Sequence, residues 1–539
     1  MKLSNFFIKN FKRFIQVLMI FRNFYHTFLL SILVQKNSNS NSNKWLIVFN
    51  SEKNLGINTA AALIINKLVS RGWHHKIVFN GNTFFKNFSK DSMTKKIRID
   101  ERAKFNISSK ESIDNQWEIN LQKKIAILNE INFYDIIDSS LSNFSKSYNL
   151  DYQITDNKIY FHKASKSINY IFNLCLEIQK HLEKGKRITL ILYDADRMPS
   201  AVVLKFFESK KLLDKLTLYS IGSGYGIYND KGNWNSGNFM LTKSNPLYAH
   251  HYYAWYDDFT RWYKEKGKLE KNNIDLFTNK ILSSKHYIEN NKIISKYKED
   301  IIRNINLYRN HNKKIYCLFS HLFFDRPIID ETNYFSSMLD WIDKTIEVFR
   351  NDKNKVLLIK PHVVESFYPK DKRPKQKLEN YLANVSFPEN IILLESDMFL
   401  ADEIREYIDT AIIWRSTAHV ENICRNIPSL YCGPQSAYSS VIKSKIPNNL
   451  EEYIQQINKS PSIQYSNSEV ETAKALIYFL NKIKTIPIDC FYKLPEVFGD
   501  NIIINPLKVR KLLKDNEYFI NQIESAILNN EYGASKYSY

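Results

Sequence analysis

Short apolar runs, each followed by a polar loop and then a stretch of helical spacing, recur along most of this chain. Runs of that length and composition read as strands buried on both faces. Their alternation with helices predicts parallel sheets joined by right-handed crossovers. The first run covers 45–50, and helical spacing over 58–71 ends at Gly72, a residue suited to a helix C-terminus. A second run at 75–79 completes a βαβ opening. Residues 85–160 are polar, with a helix expected over 116–131. A helix over 167–183 closed by Gly185, a strand at 188–193, a helix at 199–209 and a strand at 216–221 make a further α/β unit.

The stretch 240–310 is aromatic, charged and helical in spacing. After it the alternation restarts, with strands expected at 315–319, 356–359, 391–394, 411–414 and 429–432. Helices are expected between them at 335–349, 375–383, 400–407 and 418–425, and afterwards at 449–458 and 468–483. The fold class expected is α/β, with two Rossmann-like domains facing across a cleft. An amphipathic helix (1–36) and a polar Asn/Ser linker (37–44) precede the first domain (45–240). A helical bridge (241–312), the second domain (313–485) and a helical tail (486–539) follow.

With 539 residues the chain exceeds one ordinary core, in keeping with that division. Hydrophobic residues at 44% and aromatics at 14% supply well-filled interiors and exclude general disorder. A formal net charge of +20 would suit nucleic acid, anionic lipid or acidic glycan. The excess is spread thinly, however, and no RNP-like motif, zinc-ligand pair or helix-turn-helix pattern accompanies it, so no nucleic-acid partner is expected. The five cysteines lack CxxC spacing and lie mostly inside apolar runs, which fits reduced thiols in a cytoplasmic protein. Lys9, Lys12, Arg13 and Arg22 interrupt the apolar N-terminus, whose cleanest part, 24–34, is shorter than the ~20 residues of a spanning helix. It reads either as a helix lying on the cytoplasmic face of the inner membrane or as one packed on its own domain.

Polar groups where parallel strands end face the crevice in which open α/β sheets bind ligands. Four such loops fall in the second half: Ser320-His321 through Asp325-Arg326-Pro327, Lys360-Pro361-His362 through Glu365, Glu395-Ser396-Asp397, and Arg415-Ser416-Thr417 through Glu421. Ser416 and Thr417 open a helix, where free N–H groups favour phosphate, or else they only cap it. His362 is suited to hydrogen-bond or protonate a leaving phosphate, while Lys360 and Arg415 add positive charge. Glu421, four residues after Thr417, shares its helical face and either accepts sugar hydroxyls or meets solvent. In the first half, Asp194 and Asp196 follow a strand, where a carboxylate can serve as a general base or as a helix cap before Pro199. Gly56, Asn58 and Gly224 lie in loops where backbone can approach a sugar or phosphate closely, or in plain tight turns.

In order and spacing these elements resemble bacterial capsule and surface polysaccharide biosynthesis glycosyltransferases of the GT-B fold, the group that includes Kdo-transferase-like capsule proteins. The resemblance spans about residues 313–440 and runs through His321, Asp325-Arg326-Pro327, Asp340-Trp341-Ile342, Lys360-Pro361-His362, Glu365, Ser416-Thr417, Glu421 and Asn426-Ile427-Pro428. Val363 stands where that family normally has proline.

The resemblance implies a nucleotide-sugar donor held by the C-terminal half. His362, Ser416 and Thr417 would take its phosphate, Glu365 and Glu421 would lie near nucleoside or sugar, and His321 and Asp325 would line the cleft. It implies no metal and no cofactor beyond the nucleotide-sugar co-substrate, with a glycan or glycolipid as acceptor. A nucleotide-sugar epimerase of the same fold and a non-catalytic glycan-binding or assembly protein of the export machinery are the alternatives.

Overall fold

The computed structural model describes residues 44–51, 73–80, 117–145, 147, 150–193, 197–222, 238–243, 256–284, 296–323, 332, 334–362, 365, 376–396, 398–399, 401–434, 437–442, 444–484, 486–487, 491–493, 502–504 and 517–529. The expected N-terminal helix and the expectations at Gly56, Asn58, Asp194, Asp196, Gly224 and Asp325 lie outside them.

The first sheet is built on β1 (Lys44–Ser51), which pairs in parallel with β2 (His74–Asn80). The helix expected over 116–131 is instead an antiparallel meander of β3 (Trp117–Asn120), β4 (Ile125–Leu128) and β5 (Ile131–Asn132). Along β4 burial alternates with a period of two, which is strand and not helix. Lys124, Asn129 and Glu130 take left-handed φ values of 56°, 47° and 69°, so the chain turns where a helix would have to continue. The Asn132 carboxamide accepts from the N–H groups of Ala126 and Tyr134, both at 3.0 Å, and fixes the exit into α1 (Tyr134–Ser145).

Helix α2 (Thr155–Glu183) begins twelve residues before its expected start and ends at Gly185, whose φ of 72° is the left-handed turn a side chain would resist. It buries Phe161, Ile168, Ile171, Phe172, Cys175 and Ile178 against the sheet and α3 (Ser200–Ser209). Between these helices β6 (Arg187–Tyr193) pairs in parallel with the other side of β1, and β7 (Thr217–Gly222) extends the sheet. An antiparallel strand not expected from the sequence, β8 (Asn238–Lys243), follows.

Three helices, α4 (Tyr256–Lys266), α5 (Lys271–Ser284) and α6 (Lys296–Asn310), occupy the expected helical bridge. The second sheet then opens with β9 (Lys314–Phe319), followed by α7 (Met338–Arg350), whose N-cap Ser337 accepts from Asp340 N–H. Strand β10 (Lys355–Lys360), the short α8 (Leu378–Leu382), β11 (Ile391–Leu393) and α9 (Ala401–Arg405) come next. Strand β12 (Thr410–Ile413), α10 (Ala418–Cys424) and β13 (Ser429–Tyr431) complete it. After α11 (Ala437–Val441) and α12 (Leu450–Lys459), helix α13 (Asn467–Tyr478) starts with a capping box of Ser466 and Glu469 and runs into a π-helical turn. The five strands lie parallel in the order β11-β10-β9-β12-β13. Alternate residues of β9 serve two cores: Tyr316 and Leu318 pack with Trp341 and Trp414, while Ile315, Cys317 and Phe319 pack with Phe399 and Ile404.

The segment after 485 returns to the first sheet and is not wholly helical. Strand β14 (Ile486–Pro487) pairs antiparallel with β8, giving the order β14-β8-β7-β6-β1-β2. Helix α14 (Glu517–Asn529) offers its terminal carbonyls to that sheet: Arg187 Nη2 donates to Ile527 O at 3.1 Å, and the Tyr219 hydroxyl to Ala526 O at 2.6 Å. Cys175, Cys317, Cys424 and Cys432 are buried free thiols. Among the described residues no helix is long and apolar enough to cross a membrane.

Candidate functional site

In the second sheet the chain runs outward from β9 through β10 and β11, then restarts on the opposite side of β9 with β12 and β13. Such a reversal opens a crevice beyond the strand ends. Three strands finish flush there, since Phe319 pairs with Lys360 on one side and with Ile413 on the other. The residues that follow are the loops singled out from the sequence. Ser320 N–H donates to Lys360 O at 3.0 Å, so β9 and β10 stay joined one residue further than the strands themselves.

That extra link brings two of the expected residues together: the His321 and His362 rings lie 6.0 Å apart at an angle of 40°. His321 Nδ1 accepts from Leu322 N–H at 2.8 Å, which leaves Nε2 to carry the ring proton. Ser416 lies past the end of β12, on the opposite side of β9 from His362. Its hydroxyl accepts from Ala418 N–H at 3.2 Å and therefore caps α10. Thr417, the formal N-cap, has helical backbone angles and uses no side-chain capping bond. Close approach of β13 to this loop requires Gly433, where an added Cβ would sit 2.0 Å from the Trp414 carbonyl oxygen.

Charge beneath the strand ends is buried. Lys360 is 4% exposed, and burial pulls its amine down to about 8, against the opposing pull of Glu365 and Glu403. Arg415 is 8% exposed. Glu365 is 2% exposed, and burial lifts its carboxyl to about 7, although the Leu378 N–H bonded to it at 3.1 Å favours the charged form. It therefore ties the loop after His362 to the start of α8.

Glu421 neither meets solvent nor stands open to a ligand. Its carboxylate pairs with Arg405 Nη2 at 3.0 Å, both side chains being buried, and Arg405 Nε donates to Asn422 Oδ1. His419, which carried no role in the sequence reading, contacts Ser429 Oγ at 2.9 Å through Nδ1 and Ser444 Oγ at 2.6 Å through Nε2. Burial pushes its imidazole down to about 3, so it is neutral at ordinary pH. Residues 419, 421 and 422 thus rivet α10 in place with polar contacts on two sides. No spacing rule distinguishes such tethers from ligand contacts before the partners are seen. Among the described residues no group of three or more His, Cys, Asp or Glu side chains is placed to hold a metal ion.

No family model matches the chain, and no curated protein matches it. Among solved structures it is similar to the UDP-GlcNAc 2-epimerase from Neisseria meningitidis bound to UDP-GlcNAc, at 13% identity over 80% of this chain and 98% of that one, with a TM-score of 0.27. Thermosulfurimonas dismutans KpsC, a beta Kdo 2,4 transferase, shares 10% identity over 61% of this chain and 88% of its own, with a TM-score of 0.27. MnaA of S. aureus in its UDP co-structure shares 13% identity over 89% and 98%, with a TM-score of 0.25. Likeness at this level assigns neither family nor activity, so the functional reading rests on the residues.

Proposed function

We propose that this chain is a metal-independent glycosyltransferase that moves a sugar from a nucleotide-sugar donor onto a capsule or surface glycan or glycolipid acceptor, working at the cytoplasmic face of the inner membrane. The observation that carries the reading is the pairing of His321 with His362, 6.0 Å apart, where β9, β10 and β12 end together at the sheet's switch point. A nucleotide phosphate placed there meets the His321 Nε2–H, the His362 ring and the Thr417 hydroxyl, above the buried cations Lys360 and Arg415. Those groups stabilise the charge that develops as the bond from the sugar C1 to the phosphate oxygen breaks. The acceptor oxygen forms the new bond to C1, and its proton passes to a carboxylate, assigned to Asp194 or Asp196. The buried placement of Glu365 and Glu421 favours positioning over direct donor contact: one holds the His362 loop, the other holds α10 through Arg405.

Purified protein mixed with CMP-, UDP- and GDP-sugars and a glycan acceptor tests this directly. His362→Ala is expected to slow transfer roughly 10²- to 10⁴-fold, and Thr417→Val to raise the donor KM, with both variants folded by circular dichroism. Wild-type rates in both would remove the phosphate-site assignment. Turnover of the sugar nucleotide without acceptor would assign an epimerase instead, and binding without turnover a glycan-assembly protein.

A further inference from the structure

We propose that Ser320 is a donor-binding residue whose hydroxyl donates to a phosphate oxygen of the nucleotide, an inference that rests on the donor-site reading above. Ser320 is the first residue past β9 and is 7% exposed, and its Oγ is buried without a hydrogen-bond partner. A buried hydroxyl left unpaired is a cost that the unliganded fold has no reason to carry, since alanine fills the same space. Its backbone is held, because Ser320 N–H bonds to Lys360 O at the point where β10 gives way to Pro361 and His362.

Position separates this hydroxyl from other unpaired ones. Thr189 Oγ1 is likewise buried and unpartnered, but it lies inside β6, 0% exposed, away from the strand ends. Ser320 lies at the mouth of the sheet, on the strand bordering the switch point. The last residue of β10 is the buried cation Lys360, and Arg415, also buried, follows β12. Two histidines close the same rim. In that setting the partner missing from Ser320 is an acceptor of negative charge, which is what the phosphate of a nucleotide supplies. The sequence places Ser320 in a polar loop after a strand but gives no signal that its hydroxyl lacks a partner, because a serine there is ordinary until its burial is known.

Ser320→Ala and Thr189→Val separate the roles by opposite signs. Calorimetric titration with UDP, CMP and GDP identifies the nucleotide that wild type binds, and thermal unfolding without nucleotide reports the fold. Ser320→Ala is expected to unfold at the same or a higher temperature while binding that nucleotide roughly ten-fold more weakly, or worse. Thr189→Val is expected to be at least as stable and to bind normally. Equal affinity in Ser320→Ala, with wild type binding well, overturns the inference and leaves the donor reading standing. Absence of nucleotide binding by wild type overturns both. A lower unfolding temperature for Ser320→Ala also overturns it, since the hydroxyl would then serve the fold. Weaker nucleotide binding with unchanged competition by inorganic pyrophosphate would place the hydroxyl against base or sugar and overturn the phosphate assignment.

Discussion

Two buried ionisable groups sit five residues apart at the mouth of the second sheet, and their responses to pH have opposite signs. Glu365, raised by burial from 4.5 to about 7, binds more protons folded than unfolded across that window. Stability therefore falls as pH rises from about 4.5 to about 7. Lys360, lowered by burial from 10.5 to about 8, binds fewer protons folded, so its contribution rises with pH between those values. Glu365→Gln keeps an oxygen for the Leu378 N–H and removes the titration. Urea denaturation should find it equal to wild type near pH 4.5 and more stable by about 2 to 3 kcal/mol at pH 8. An identical difference at both pH values would show that the carboxyl does not titrate as described. At this scale the placement of His321, His362 and Ser416 just past strand ends was legible, because each follows an apolar run long enough to be a strand. The buried states of Glu365 and Glu421 were not, since a carboxylate five or eight residues past a strand end reads equally well as solvent-facing.

Among elements, the junction of α4 with the end of α13 holds a buried pair that no sequence pattern announces. Asp258, in the first turn of α4, is bonded to Lys484 just past the π-helical turn, with side chains 1% and 0% exposed. Removing one partner strands the other charge in an apolar cluster that includes Phe259, Trp262 and Phe479. Lys484→Met is expected to cost about 3 to 5 kcal/mol, and Asp258→Asn with Lys484→Met together much less. Urea midpoints of the two variants and wild type decide it; equal losses in single and double variants would mean that the charges do not compensate each other. The π turn lies in the sequence range that reads as one continuous helix over 468–483, and side-chain period alone does not reveal a change in hydrogen-bond spacing. Helices α7 and α12 were readable from their periodic apolar faces, and the five strands of the second sheet because burial on both faces leaves mostly apolar residues. The meander at 117–132 was misread because its strands are only two to four residues long and its turns use Lys, Asn and Glu in left-handed angles instead of glycine.

For the whole molecule, both sheets share one plan. The first reverses direction between β1 and β6 as the second does between β9 and β12. In the sequence, Gly56 and Asn58 come after β1, and Asp194 and Asp196 after β6. The α/β alternation predicted the parallel strands of both sheets, but not the antiparallel β8 or the return of the chain's end, because a two-residue strand such as β14 has no periodicity to read. Shortening the protein after residue 485 removes β14 and α14, so β8 becomes an open edge and Arg187 and Tyr219 lose the carbonyls they bind. That product is expected to scatter light and aggregate during purification at concentrations where the full chain stays monodisperse. Clear solutions of the shortened protein would show that the edge is protected in another way.

The antiparallel pairing of β8 with β14 joins residues about 250 positions apart in the chain. During synthesis on the ribosome, the opening sheet emerges hundreds of residues before its final strand exists. An unfinished border must wait, exposed to neighbouring nascent chains, until the closing segment leaves the exit tunnel. Translation speed and chaperone supply should therefore govern the yield of this protein more than the intrinsic strength of either core.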